Sequence, residues 1–122
     1  MPEPYLYLHI AHRIRSAISK FRTGNHDLEI EKGRHQKLTV NERLCKLCLS
    51  VNKTYVEDEY HVLMVCQFYN DLRNIYLDLT LTPINLFTFI TLMSSTDENM
   101  LTRLGLFLAN MFKLRKSLLK TL

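Results

Sequence analysis

From Tyr5 to Thr23 the apolar residues Leu6, Ile10, Ile14, Ala17, Ile18 and Phe21 recur mostly at three- and four-residue steps. That spacing marks one face of a helix. Arg13, Arg15, Lys20 and Arg22 fall mostly off this face, and Gly24 is placed to end the helix in a left-handed cap. Asn25 to Asn41 has no sustained period. Asp27-Leu28-Glu29-Ile30-Glu31 alternates polar and apolar and predicts an extended segment. Gly33 predicts a turn, and Arg34-His35-Gln36-Lys37 a basic loop. Thr54-Tyr55-Val56 favours β structure and is expected to pair back on Arg43–Cys48. Glu57-Asp58-Glu59 open a helical stretch, where the helix dipole favours acids. A helical period continues through Phe68, Leu72, Ile75 and Tyr76, over Tyr69 to Leu79. A further helix is expected after Pro83, with Leu86, Phe87, Ile90 and Met93 inward. Ser95 and Glu98 fit a capping box for the last helix. Its stripe is Leu101, Leu104, Leu108, Met111, Leu118 and Leu122, widened by Phe107 and Leu114, with Arg115 in the seat between Met111 and Leu118. Lys113, Lys116 and Lys120 share another face. Such a stripe is either the domain's own core or a surface for a protein partner.

The chemistry concentrates elsewhere. Cys45, Cys48, His61 and Cys66 read C-x2-C-x12-H-x4-C and use every cysteine in the chain. Zinc takes four tetrahedral ligands, and thiolates with imidazole are a standard structural set. A Cys-x2-Cys turn aims both sulfurs at one point, and a His and a Cys five residues apart can close the site. Four protein ligands leave no position for a reacting water, so one structural zinc is expected, with no catalysis at the metal. Three cysteines are an odd count, and all lie in the motif. A disulfide framework is therefore a poor reading, and a reducing interior, cytoplasm or nucleus, is the expected location. His9 and His12 lack a third ligand at a sensible spacing and read as surface or boundary residues.

Length and composition fit one globular domain: 122 residues, 47% hydrophobic, with 3 Gly and 3 Pro. No apolar run approaches the roughly 18 residues that span a bilayer, and the first residues lack the pattern of a signal peptide, so neither membrane insertion nor secretion is expected. The net charge of +4 is uneven, positive over residues 1–40 and 101–122 and negative between. Basic ends suit RNA or DNA, or an acidic protein, and they also suit ordinary solvated helix faces. Arg13, Arg15, Arg22, Arg34 and Lys37 are the candidate nucleic-acid contacts.

The ligand spacing also matches a DNA-reading finger with its last ligand changed to Cys. Such a finger needs a Phe and a Leu where this chain has Asn52 and Asp58, so major-groove reading is disfavoured. Enzymatic signatures are missing: no Gly-rich phosphate loop, no nucleophile elbow and no deaminase motif. No small-molecule substrate is implied. Glu57, Asp58 and Glu59 are consecutive and diverge on a helix, so they form no acid/base pair. They are expected to pair with Arg43, Lys46 or Lys53 around the metal.

Several segments form a familiar set in order. They are Phe-Arg-Thr-Gly-Asn-His-Asp-Leu at 21–28, Glu-Lys-Gly-Arg-His at 31–35, Glu-Arg-Leu-Cys-Lys-Leu-Cys at 42–48 and Glu-Asp-Glu-Tyr-His-Val-Leu-Met-Val-Cys at 57–66, then Tyr69 and Leu72-Arg73. This resembles the zinc-binding region that follows the reverse transcriptase of non-LTR retrotransposons. The resemblance places the metal ligands on Cys45, Cys48, His61 and Cys66, and implies assistance to the handling of RNA or DNA. Gln67 departs from the family's usual Pro. The chain has no polymerase Tyr-x-Asp-Asp motif and no endonuclease domain, so a detached, non-catalytic C-terminal segment is expected. The expected fold is mainly α with a small β-hairpin zinc knuckle, a zinc-stapled helical domain. An amphipathic helix spans residues 1–24, a zinc module 25–80, and C-terminal helices packed on it 81–122.

Overall fold

The computed structural model describes residues 4–77 and 85–122, with the side chains of residues 4–11 left out. Helix α1 runs Pro4–Arg22. It ends as predicted at Gly24, whose φ of 74° is left-handed. Asn25 N–H donates to Lys20 O at 2.8 Å and Gly24 N–H to Phe21 O at 3.3 Å, the paired bonds of a Schellman cap. Of the side chains expected inward on α1, those of Leu6 and Ile10 lie outside the described residues. Ile18 and Phe21 are buried.

The expected extended segment at residues 27–31 is instead the start of helix α2, Glu29–His35. The cause is not local. Glu29 N–H donates to the Glu57 carboxylate at 2.8 Å, and Ile30 N–H donates to Glu57 O at 2.9 Å. Two unpaired amides of the first turn are thus satisfied by a residue 28 positions away. Gly33 lies inside α2 and makes no turn there. A Cβ at this position would overlap Arg43 Cγ, so glycine permits a close crossing. The reversal comes later, at Lys37, with φ 58°.

The β-hairpin knuckle does not form. Among the described residues there is no strand, and the only antiparallel pairing is one bridge, Leu44 with Val56. It is framed by Cys45 N–H to Tyr55 O at 2.8 Å and Glu57 N–H to Arg43 O at 2.9 Å. Pairing stops there because both chains turn away at once. Cys45 leads directly into the one-turn helix α3, Lys46–Leu49, and Glu57 precedes the turn that carries His61. Asn52, with φ 62°, reverses the chain between them.

A π-helical turn follows, His61–Val65. Helix α4, Asn70–Leu72, continues without a break into a second π-helical stretch, Arg73–Leu77. Three of the four residues of the expected period, Phe68, Leu72 and Tyr76, pack against the core. Tyr69, Arg73 and Leu77 are buried, Phe68, Leu72 and Tyr76 are half-buried, and Ile75 is exposed. The expected continuation to Leu79 and the break at Pro83 fall partly outside the described residues.

Helix α5, Leu86–Ser94, is capped by Asn85, whose side chain accepts from Thr88 N–H at 2.9 Å. Of the residues expected inward, only Met93 packs against the core. Leu86, Phe87 and Ile90 are exposed, whereas Thr88 and Leu92 are buried. Helix α6, Glu98–Lys120, is capped two residues after the Ser95 of the predicted capping box. Its cap is Asp97, accepting from Met100 N–H at 2.9 Å. Ser95 ends α5 instead. The α6 stripe is the domain's core: Leu104, Phe107, Leu108 and Met111 are fully buried, while Leu122 at its end is exposed. α6 packs on α1, on the 70–77 helix and on α3. A Cβ at Gly105 would overlap Ile14 Cγ2, so glycine also sets the α1–α6 approach.

Candidate metal centre and its surroundings

Cys45 and Cys48 flank the first turn of α3. Three residues apart at a helix start, they face the same side. His61 opens the π-turn, and Cys66 closes it through Cys66 N–H to His61 O at 2.7 Å. This i→i+5 bond is the local reason that H-x4-C can close a site. In an α-helix residues five apart point about 140° from each other, whereas a π-turn widens the ring and brings them round. The expectation that His61 and Cys66 sit one turn apart therefore holds through a π-turn.

The donor atoms of Cys45, Cys48, His61 and Cys66 all lie within 4.8 Å of one another, and all four residues are buried. Cys48 Sγ is 3.4 Å from His61 Nε2 and 3.8 Å from Cys66 Sγ. A tetrahedral metal with metal–sulfur bonds of about 2.3 Å requires a sulfur–sulfur edge of about 3.8 Å. The group can hold one metal ion. The three cysteines are free thiols, with no disulfide among them.

The three thiols are electrostatically unequal. The hydrogen bond from Cys66 lowers Cys45 to about 4, against the opposing effect of burial. Burial, then the charge of Cys45, pushes Cys48 up to about 11. Cys66 is raised further, first by its hydrogen bond to Cys45 and then by burial. These opposed directions favour negative charge on Cys45 first, and a bound cation would favour the thiolate form of all three.

The surroundings fix the ligands. Asp58 Oδ1 accepts from His61 N–H at 2.8 Å and caps the turn that carries it. The Tyr55 ring covers the imidazole, with centroids 5.2 Å apart. Arg73 is 3% exposed. It donates to Leu63 O at 2.8 Å, Val62 O at 3.2 Å, Cys66 O and Asn70 Oδ1. It thereby satisfies the last carbonyls of the π-turn, next to the fourth ligand. Burial lowers its affinity for its proton.

The acids beside His61 do not pair as expected with Arg43, Lys46 or Lys53. Glu57 is 1% exposed and takes a two-point contact from Arg115 of α6, Nε to Oε2 at 3.0 Å and Nη2 to Oε1 at 2.7 Å. Burial alone would make Arg115 give up its proton more easily; the bonds and charge of Glu57 outweigh this and raise it. Glu59 accepts from His26 Nε2 at 2.9 Å, which lowers its carboxyl. Leu28 N–H donates to His26 Nδ1 at 3.3 Å, so the ring accepts through one nitrogen and faces Glu59 with the other. Arg43 instead donates to Leu38 O and Ile30 O. Lys46 pairs with Glu29 at 3.5 Å, and Lys53 with Gln67 at 2.8 Å.

The five candidate nucleic-acid contacts do not form one surface. Arg22 donates to Ser95 O at 3.1 Å and Leu92 O at 3.5 Å, holding the end of α5. Arg34 pairs with Glu31 at 2.9 Å. Arg15 and Lys37 are exposed. Arg13 lines a groove of 1410 Å³ between α1 and α6, with Lys20, Lys32, Lys113, Lys116 and Lys120. His12 is exposed, as expected of a surface residue.

The sequence placed Arg115 on the α6 stripe and Arg73 in the resembling segment, but it assigned neither a buried role and did not show the groove. The first two had a shared signal: a lone arginine on an apolar stripe, Tyr69–Arg73–Leu77 and Met111–Arg115–Leu118. The groove had none, because it needs α1 and α6 to be adjacent. No family model, no curated protein and no solved structure matches this chain.

Proposed function

We propose that this chain is a non-catalytic helical module stapled by one structural zinc, and that it assists the handling of nucleic acid. The carrying observation is the buried Cys3His group, with a sulfur–sulfur edge of 3.8 Å. Soft thiolates and a borderline imidazole in tetrahedral array favour zinc over calcium or magnesium, which prefer oxygen. Four protein donors leave no open position for a substrate, which supports a structural role. The resemblance to the zinc-binding region of non-LTR retrotransposon polyproteins, carried by residues 21–73, and the basic residues of α1 and α6 support the nucleic-acid part.

The test is metal analysis and low-salt RNA binding on one sample. About one zinc per chain is expected, lost in Cys48→Ser together with the local fold. Unchanged helicity and stability in excess chelator would defeat the zinc reading. Absence of RNA and DNA binding at low salt would defeat the nucleic-acid reading. A second reading, a protein-interaction module, is favoured by the exposed apolar face of α5, Leu86, Phe87 and Ile90. It gains if nucleic acid fails to bind.

A further inference from the structure

We infer that the groove between α1 and α6 is a binding site for the phosphate backbone of a nucleic-acid duplex. This rests on the nucleic-acid reading above and gives it a location. Arg13 and Lys20 of α1, Lys32 of α2, and Lys113, Lys116 and Lys120 of α6 line the groove, and all six are exposed. None has a carboxylate partner among the described residues, where the ion pairs involve only His26, Arg34, Lys46 and Arg115. The one acidic residue in the lining is Asp27. Uncompensated like charges repel one another and persist without cost only where an anion or solvent faces them.

The spacing suits a backbone. Lys113, Lys116 and Lys120 stand three and four apart and form one ridge of α6. They cover about 10 Å along the helix axis, over which one strand of a duplex carries about three phosphates. Among the described residues, the groove lining holds no exposed Phe, Tyr or Trp on which unpaired bases could stack. Phe21 is fully buried and Phe112 half-buried. They pack on each other at 6.4 Å between ring centroids, and Phe112 lies 6.2 Å from His26. Single-strand binders stack bases on exposed aromatics, so the chemistry here favours paired strands read through phosphate. An acidic protein fits less well, since protein interfaces are depleted in lysine and anchored by aromatic side chains.

The experiment uses the zinc-loaded full chain and fluorescence anisotropy with a short RNA duplex, the same duplex in DNA, a single strand of equal length, and polyglutamate. Six phosphate contacts predict a log–log salt slope of about −5 and a loss of about 10³-fold in affinity between 50 and 200 mM salt. Lys116→Ala alone should reduce the slope by about 1, and the triple variant Lys113→Ala, Lys116→Ala, Lys120→Ala by about 3. Lys53→Ala, at an exposed position outside the groove, should leave it unchanged. If the triple variant does not fold, the three single variants carry the same test. Duplex binding with a slope untouched by the groove variants overturns the location and leaves the nucleic-acid reading standing. Absence of binding to any nucleic acid at low salt overturns both. Tighter binding to polyglutamate or to the single strand overturns the assigned occupant.

Discussion

Replacing Arg115 with Met should destabilise the fold more than any exposed charge change. Glu57 and Arg115 are 1% and 5% exposed, and two hydrogen bonds of 3.0 and 2.7 Å join them. Removing the guanidinium strands a buried carboxylate. Glu29 makes the loss worse, because its Oε1 lies 3.9 Å from Arg115 Nη2 and would keep only exposed Lys46 nearby. Breaking a buried pair costs about 3–5 kcal/mol, against a whole-domain stability of about 5–15 kcal/mol. Urea unfolding of the zinc-loaded protein should read this as a midpoint lowered by about 2 M, taking a slope of about 2 kcal/mol per molar. Combining Arg115→Met with Glu57→Gln removes the stranded charge and should recover part of the loss, so the cycle should show coupling of at least about 1.5 kcal/mol. A cost below about 1 kcal/mol, the level of an exposed pair, or a double variant no better than the single one, would refute the pair as the link between α6 and the metal-bearing segment.

Four further outcomes are expected. Zinc uptake at neutral pH should release about two protons per chain, from the raised Cys48 and Cys66; calorimetry in buffers of different ionisation enthalpy measures this, and zinc affinity should fall on acidification. Glu59 has a lowered carboxyl in the folded chain, so its contribution should be fully present above its unfolded value of 4.5 and lost as pH falls through its folded value; the stability gap between wild type and Glu59→Gln should therefore be constant above about pH 5 and close below it. Asp58→Ala removes the cap on His61 N–H and should cost about 1 kcal/mol, with zinc retained at saturating metal in the metal assay. Gly105→Val forces α1 and α6 apart at Ile14 and should cost at least about 1–3 kcal/mol in thermal melts.

Legibility in the sequence followed the range of the cause. The α1 helix and its end were readable because Gly24 and the apolar stripe act within a few residues. The buried group of Cys45, Cys48, His61 and Cys66 was readable because its spacing is itself the geometry, although the π-turn that unites His61 with Cys66 was not. Helix α2 was not readable, because its first turn is completed by Glu57. The hairpin was expected from the β-favouring Thr54-Tyr55-Val56, but the turns demanded by Cys45–Cys48 and by His61 left room for a single bridge. The apolar period failed at Ile75 of the 70–77 helix and at Leu86, Phe87 and Ile90 of α5, which face solvent. Arg73 has to reach three carbonyls, and that demand rotates Ile75 into solvent.

The chain holds eight arginines and eight lysines, and the fold separates them by chemistry. Arg22, Arg43, Arg73 and Arg115 donate to backbone carbonyls or to the Glu57 carboxylate, at the end of α5, between α2 and the knuckle, below the π-turn and under α6. A planar fork with several donors can satisfy two or three acceptors at once while still charged, which a lysine ammonium does poorly. Five lysines instead stand in the α1–α6 groove with no ion pair among the described residues. The net charge of +4 is therefore a poor guide to the surface field, because part of the positive charge is already committed inside. What faces solvent is a lysine ridge on α6, which the Arg115–Glu57 pair joins to the segment that carries His61 four residues on. If the proposed zinc and the proposed duplex site both hold, zinc removal should weaken duplex binding through this one buried carboxylate, read as a loss of duplex anisotropy in excess chelator.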